Sequence, residues 1–397
     1  MSRCRFCGGA LSIPFCDLGS QPLANSYLAD AGTPDPRYPL NAMACEACLL
    51  VQLDHVADAQ AIFSDYAYFS SYSSTWLEHA RVFAADIIGR LGLDKTSFVA
   101  EIASNDGYLL RNFVAAGIPC IGVEPAANVA RAALGVPTLV AFFGREVAHR
   151  IVIARGHADL VVANNVLAHV PDINDFIAGL ALLAGPAGVV SIEVPHLLNL
   201  IAGVQFDTIY HEHYAYFSLH ALTQVLGAHG LAVIGVERVA THGGSLRVFA
   251  SAGTPPIGPS DLASVRADEA AAGLDTPAGY TGLAPRVRGI IEGFRAWRAT
   301  RGRVAAYGAA AKGNTFLNAV GEAGLLAVAD RNPAKQGRLL PGSRVPVVTP
   351  EALRDLEVDD VLILPWNIAG EIAAELRALP GWRARLWVAV PAMREVT

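Results

Sequence analysis

The chain has 397 residues, 53% of them hydrophobic and only 17% charged. So apolar a chain can bury enough surface to offset its ordering entropy, which excludes disorder, and its length suits two or three domains of roughly 100–200 residues. With 30 Lys and Arg against 36 Asp and Glu the net charge is −6, which argues against a nucleic-acid partner, because a phosphate backbone calls for a basic excess.

At the N-terminus, Met1-Ser-Arg-Cys lacks the apolar core of a signal peptide. The longest uncharged stretch, Phe176 to Ile192, is broken by Gly179, Gly185, Pro186 and Gly188 and does not make a membrane span of about 20 apolar residues. We therefore expect a cytoplasmic protein with no membrane partner, whose six cysteines are reduced and better suited to metal than to disulfides. Four of them form two C-x2-C pairs, Cys4 with Cys7 and Cys45 with Cys48. Two such knuckles present four thiolates to one tetrahedral ion, so a closed, structural Zn2+ site is expected. Cys16 and Cys120 stand apart and read as buried thiols. The turn-rich stretch Asp17 to Tyr27 offers little core of its own, so this head, residues 1–75, is expected to need the metal as a staple.

Beyond Trp76, Leu77 to Leu91 carries apolar residues at helical spacing. Ser97 to Ala103 reads as a buried strand, Tyr108 to Ala116 as a helix, and Cys120 to Glu124 as a second strand. Asp159 to Asn164 reads as a third. Strands alternating with helices predict a parallel sheet covered on both faces, an α/β domain over residues 76–250. Ligands of such sheets bind at the carboxyl ends of the strands. Those ends here are Ser104-Asn105-Asp106-Gly107, Glu124, and Asn164-Asn165. Glu124 is placed to accept hydrogen bonds from a ribose. The first loop has one glycine and no G-x-G-x-x-G, so a nucleoside without phosphates fits better than a dinucleotide, and S-adenosylmethionine leads.

EIASNDGYLL, GVEPAANVA and ANNVLAHVPDINDF resemble the cofactor stations of class I methyltransferases. The CRFC and CEAC head, DYAYFSSYSSTW, FDTIYHEHYAYFS and HGGSLRVF resemble, more narrowly, the sugar C-methyltransferases that act on nucleotide-linked deoxysugars. The resemblance covers essentially the whole chain, and the order of the motifs makes it specific. It implies three units: a zinc-binding lobe, a class I methyltransferase Rossmann-like domain, and a C-terminal Rossmann-like α/β domain. It implies cofactor contacts from Glu101, Ser104, Asn105, Asp106, Gly107, Glu124, Pro125, Asn164 and Asn165. Ala103 departs from the glycine common in many methyltransferases.

Tyr210 to Tyr216 packs two histidines, a carboxylate and three tyrosines into one stretch. His211 and His213 are two apart, not at the i and i+4 of a helical zinc site, so only an extended segment would put both on one face. A structural cluster and a proton-transfer site are the readings that remain. The family pattern makes His213 the base, with Tyr210 and Glu212 beside it, and has Tyr66 or Tyr68 close over the site. Removing a carbon-3 proton next to a 4-keto group gives an enolate that takes a methyl. An unperturbed imidazole, with a pKa near 6.5, is matched to that task. His196 and Arg247 are expected to face substrate.

Ser251 to Ser260 is a Pro/Gly-rich boundary, followed by an alanine-rich helical stretch to about Thr300. A second α/β unit, in residues 251–397, has strands at Val304–Gly308, Leu325–Ala329 and Asp360–Pro365. Its turn Tyr307-Gly308-Ala-Ala-Ala-Lys312-Gly313-Asn314 points helix N–H groups at an anion, and the sugar diphosphate is the expected occupant. A nicotinamide site is the rival reading, with Asp330 about 20 residues on, but the glycine spacing is wrong. The expected activity is C-methylation at carbon 3 of a nucleotide-linked 4-keto deoxysugar. O- or N-methylation of a related sugar, and a nicotinamide-dependent sugar oxidoreductase, are the alternatives.

Overall fold

The computed structural model describes residues 2–58, 62, 69–253 and 257–397. Three sheets organise these residues. The first is antiparallel, built from β1 (Leu11–Pro22), β2 (Arg37–Cys45) and β3 (Val51–Leu53). Its fourth strand, β9 (Ala215–Tyr216), arrives from far along the chain and pairs with β3, Tyr216 opposite Val51. A two-residue strand has no periodicity, so no sequence pattern announces it.

The second sheet has seven strands in the order β10-β11-β8-β7-β4-β5-β6. These are β4 (Val99–Ile102), β5 (Cys120–Val123), β6 (Thr138–Leu139), β7 (Leu160–Asn164), β8 (Val189–Pro195), β10 (Ala232–Val239) and β11 (Ser245–Ser251). β4 to β8 run parallel, while β11 is antiparallel to both β8 and β10. Val99 to Ile102 are all buried, as both faces of a helix-covered sheet require. The helix Ser74–Leu91 begins where the Ser73 side chain accepts from Trp76 N and ends on Gly92 at φ 62°. The chain winds one way from β4 to β5 and β6, and the other way to β7 and β8. The loops after β4, β5 and β7 therefore meet at the switch point.

The helical stretch beyond residue 260 is two helices, Leu262–Ala271 and Leu283–Ala299. The second buries Leu283, Val287, Ile290, Phe294 and Trp297, a stripe at helical spacing. The third sheet follows, in the order β14-β13-β12-β15-β16-β17, from β12 (Val304–Tyr307), β13 (Val328–Ala329), β14 (Val347–Val348), β15 (Asp360–Ile363), β16 (Arg385–Val388) and β17 (Arg394–Glu395). It is parallel except for β17. The three units share core. Phe15, Leu40 and Val51 of the head lie in one apolar cluster with Leu197, Phe206, Phe294 and Phe316. The head thus borrows apolar partners it lacks by itself. Among the described residues no helix is long and apolar enough to cross a membrane.

Candidate active site

In the head, the Sγ atoms of Cys4, Cys7, Cys45 and Cys48 all lie within 4.8 Å of one another. Cys4 and Cys48 are 3.6 Å apart and Cys7 and Cys45 3.5 Å. Gln52 Nε2 donates to Cys4 Sγ at 3.1 Å, Cys7 N to the same sulfur at 3.5 Å, and Ala47 N to Cys45 Sγ at 3.4 Å. Donors aimed at sulfur favour thiolates and orient them as a second shell does. A side chain at Gly9 would stand 3.1 Å from Cys45 Sγ, so the glycine leaves room around the sulfurs. Four sulfurs with no open position suit a structural Zn2+. Arg5, between the first two cysteines, donates to Leu53 O at 2.7 Å and to Tyr214 O, tying the knuckle to the Tyr210–Tyr216 segment.

At the switch point of the second sheet the backbone is strained. Ala103, Asn105 and Asn165 have φ of 57°, 51° and 54°, and Gly107 has 75°. Left-handed backbone at a residue with a Cβ costs about 1–2 kcal/mol and recurs in ligand loops. The position of Ala103 is one where glycine is at ease. Glu124 accepts from Asn105 N at 3.0 Å and Ala126 N at 2.9 Å, which fixes its carboxylate with Pro125 beside it. Glu101, Asp106 and Glu124 are buried together. Burial, then the charges of Glu124 and Asp106, push Glu101 well above the usual carboxylate range, and burial raises Glu124 too. Glu101 Oε2, Ser104 Oγ, Asp106 Oδ1 and Asn164 Oδ1 are buried without a hydrogen-bond partner. Such a cluster of unpartnered acceptors and carboxylates fits a cation bearing N–H and O–H groups, as S-adenosylmethionine does. Ser70 N donates to Asn105 Oδ1 at 2.9 Å and Ser71 N to Asp106 Oδ2 at 3.1 Å, so the segment Ser70–Tyr72 roofs this loop. Tyr66 and Tyr68 lie outside the described residues.

The histidine cluster is a turn, not an extended segment. His213 N donates to Tyr210 O at 2.8 Å. The turn sends the two rings apart. His211 faces the head, its Nε2 at 3.3 Å and 3.2 Å from the Tyr38 and Pro39 carbonyls. His213 Nδ1 is 2.8 Å from Thr208 O, and its Nε2 is 2.8 Å from Tyr210 Oη. A carbonyl only accepts, so Nδ1 carries the proton and Nε2 is the lone-pair nitrogen, to which Tyr210 donates. Burial, then the neighbouring His169, which would have to share the site as a second cation, holds His213 well below its ordinary value. The expected near-neutral imidazole is thus replaced by one that stays unprotonated. His169, whose Nδ1 lies 2.8 Å from Glu212 O, has its ring centroid 4.7 Å from that of His213, and burial lowers it to about 4. Glu212 Oε1 accepts from Asn25 of the head at 2.6 Å.

Other expected site residues are placed elsewhere. His196 is closed off, with Nε2 2.7 Å from Glu269 Oε1, a carboxylate that also caps Leu219 N and His220 N. Arg247 is spent on Glu193 at 2.9 Å and Glu237 at 3.1 Å, over the Phe83 ring. Tyr307 is buried in the core of the third sheet and burial pushes its phenol to about 12. A side chain at Gly308 would meet Pro365 at 2.3 Å, and one at Gly313 would meet Leu364 at 2.7 Å, so close packing accounts for both glycines. Asn314 donates to Ala24 O at 2.8 Å. The turn from Tyr307 to Asn314 is therefore largely occupied by protein contacts, and it serves neither the diphosphate nor the nicotinamide reading as expected.

Lys312 leaves that turn for the junction with the second unit. Its ammonium is 3.4 Å from His242 O and 3.4 Å from Asn367 Oδ1, and 4.9 Å from the Trp366 ring centre. Trp366 Nε1 donates to Asp207 Oδ2 at 2.7 Å. His242, Asp207, Trp366 and Asn25 were not singled out by sequence; only the two glycines after His242 hint at a close approach there.

A family model described as a C-methyltransferase C-terminal domain matches residues 240–391, a methyltransferase domain matches residues 76–236, and a zinc binding domain matches residues 4–63. The C-methyltransferase NovU of Streptomyces niveus is 36% identical over all of this chain and 97% of its own length. Among solved structures, magnesium protoporphyrin IX methyltransferase of Synechocystis PCC 6803 with bound S-adenosylmethionine is 16% identical, with a TM-score of 0.32 over 44% of this chain and 77% of that one. A S-adenosylmethionine-dependent methyltransferase of Archaeoglobus fulgidus is 16% identical, with a TM-score of 0.35 over 41% of this chain and 72% of that one.

Proposed function

The chain belongs to the C-methyltransferase family of that Streptomyces relative, and from this premise we propose that it methylates carbon 3 of a nucleoside-diphosphate-linked 4-keto deoxysugar. It is an S-adenosylmethionine-dependent methyltransferase with a zinc-binding head and a small-molecule substrate. In the proposed division of labour, residues 1–75 hold the metal, 76–250 the cofactor, and 251–397 help hold the substrate.

The observation that carries the mechanism is the hydrogen-bond chain Thr208 O, His213, Tyr210. Thr208 fixes the tautomer, so His213 Nε2 is the nitrogen that accepts the carbon-3 proton. Its low basicity keeps it in the unprotonated form at neutral pH, and stabilising the enolate oxygen must make up the missing driving force. Tyr210 turns its hydroxyl from Nε2 to that oxygen as the proton is taken. Glu212, held by Asn25, positions the turn. Glu101, Ser104, Asp106 and Asn164 meet the cofactor's donors with their unpartnered oxygens, while Asn105, Gly107, Pro125 and Asn165 shape the three loops after β4, β5 and β7. Glu124 takes the ribose hydroxyls. Bound S-adenosylmethionine supplies the electrophilic methyl for the enolate carbon.

The test is mass spectrometry with a 4-keto sugar nucleotide in deuterated water. The wild type is expected to exchange the carbon-3 hydrogen and then add a methyl, and His213→Ala to lose both while still binding S-adenosylhomocysteine. Full turnover in that variant would remove His213 as the base. Methylation without carbon exchange would point instead to an oxygen or nitrogen acceptor.

A further inference from the structure

We propose that Lys312 is the cation that receives the enolate charge at the sugar's 4-keto oxygen, so that the C-terminal unit supplies a catalytic group and not merely a place to bind; this rests on the substrate reading above. The ammonium has three donors, and its two hydrogen bonds are both 3.4 Å long, near the limit of such contacts. It has turned away from the helix start it belongs to, where Gly308, Gly313 and Asn314 are committed to packing. Beneath it runs a short mechanical path to the proposed base. The Trp366 ring under the ammonium is hydrogen-bonded to Asp207, Asp207 adjoins Thr208, and the Thr208 carbonyl holds His213 Nδ1.

Electrostatics point to what is missing there. The ammonium lowers both His213 and His242, while Asp207 only partly offsets its own burial. Enolisation supplies a negative charge where one is wanted. His213 Nε2 takes the carbon-3 proton, the C–H electrons become the C3–C4 double bond, and the carbonyl π pair moves to oxygen. Imidazolium and oxyanion are created together. Before that step Lys312 opposes protonation of His213; after it, the oxyanion offsets both cations. The contact is thus stronger in the transition state than in the ground state, which is the condition for raising kcat. Methyl addition at carbon 3 re-forms the carbonyl and releases the charge. A diphosphate anchor would instead act equally in both states and show in KM.

The experiment compares wild type, His213→Ala, Lys312→Met and Lys312→Arg with thymidine diphosphate 4-keto-6-deoxyglucose in deuterated water, plus calorimetric titration with thymidine diphosphate. Lys312→Met is expected to fold, because a methionine of similar length fills the same half-buried space and removes a charge that is partly desolvated there. It should slow exchange and methylation by roughly 10²–10³-fold, the loss typical of one oxyanion donor. Thymidine diphosphate affinity should stay within about twofold, and Lys312→Arg should recover part of the rate. Exchange at the wild-type rate in Lys312→Met overturns the proposal. So does a tenfold or greater loss of thymidine diphosphate affinity with kcat intact, in either variant. No exchange even in the wild type would bring down the substrate reading itself, and is thereby distinct from a failure confined to Lys312.

Discussion

His169 and His213 differ from surface histidines in one respect that solution measurements reach directly. Both are kept neutral by burial, His169 down to about 4. In the unfolded chain a histidine protonates below about 6.5. The unfolded state therefore binds more protons between pH 6.5 and 4, and stability falls as pH drops through that window, at most about 1.4 kcal/mol per pH unit for one residue. Asp207, raised by burial to about 6, acts with the opposite sign, so the total profile mixes both. The clean measurement is a difference. Urea unfolding of wild type and His169→Gln at pH 7 and pH 5 should show the variant losing less stability than the wild type on acidification; equal losses would mean His169 titrates normally. At this scale the sequence was informative where spacing carries chemistry. Cys4, Cys7, Cys45 and Cys48 announce themselves by spacing alone. It was poor where a residue's partner is remote. His196 read as substrate-facing because Glu269, which closes it off, sits on a helix of the next unit.

Between residue and domain stand the short connections. The turn at Tyr210–His213 and the two residues of β9 decide which histidine meets the head and which meets the junction, and neither has a sequence period to betray it. The hairpin Thr241–Gly244 between β10 and β11 is better signposted, since paired glycines mark a close approach. Here the approach is by two side chains. A Cβ at Gly243 would come 2.5 Å from the far edge of Trp366 and one at Gly244 would come 2.2 Å from Asn199 Nδ2, both at left-handed φ. Gly243→Ala is expected to cost about 1–3 kcal/mol by overpacking and strain, read as a lower urea midpoint. It should also lower turnover, because Trp366 supports Asp207. An unchanged midpoint would mean that the Trp366 ring yields at no cost. The existence of β4, β5 and β12 was legible because buried strands are continuous apolar runs, while their ends were not: β4 is Val99–Ile102, shorter than the Ser97–Ala103 run. The split of the stretch before Thr300 into two helices was legible too, in Gly273, Pro277, Gly279 and Gly282 between them, yet the expectation ran a single helical stretch through these breakers.

For the whole molecule, three units were foreseeable from length and motif order, but their shared core was not. Composition says how much apolar surface exists, not which units pool it. Arg5, set between two metal ligands, donates to Tyr214 O, next to His213. Removing the ion should therefore be felt at a distance. Treatment with a strong chelator is expected to lower the melting temperature and the methylation rate together, with zinc content followed by plasma emission; full activity in the zinc-free protein would uncouple the head from the reaction. The most consequential feature at this scale is β9. The head sheet is completed by residues 215 and 216, which pair with a strand ending at residue 53. On a ribosome adding about 5–20 residues per second, roughly 10–30 seconds pass between the two. For that interval the nascent N-terminus presents an open strand edge and half-covered apolar faces. Either the knuckle ligates its ion early and holds the unfinished sheet, or a chaperone must shield it until the middle of the chain emerges.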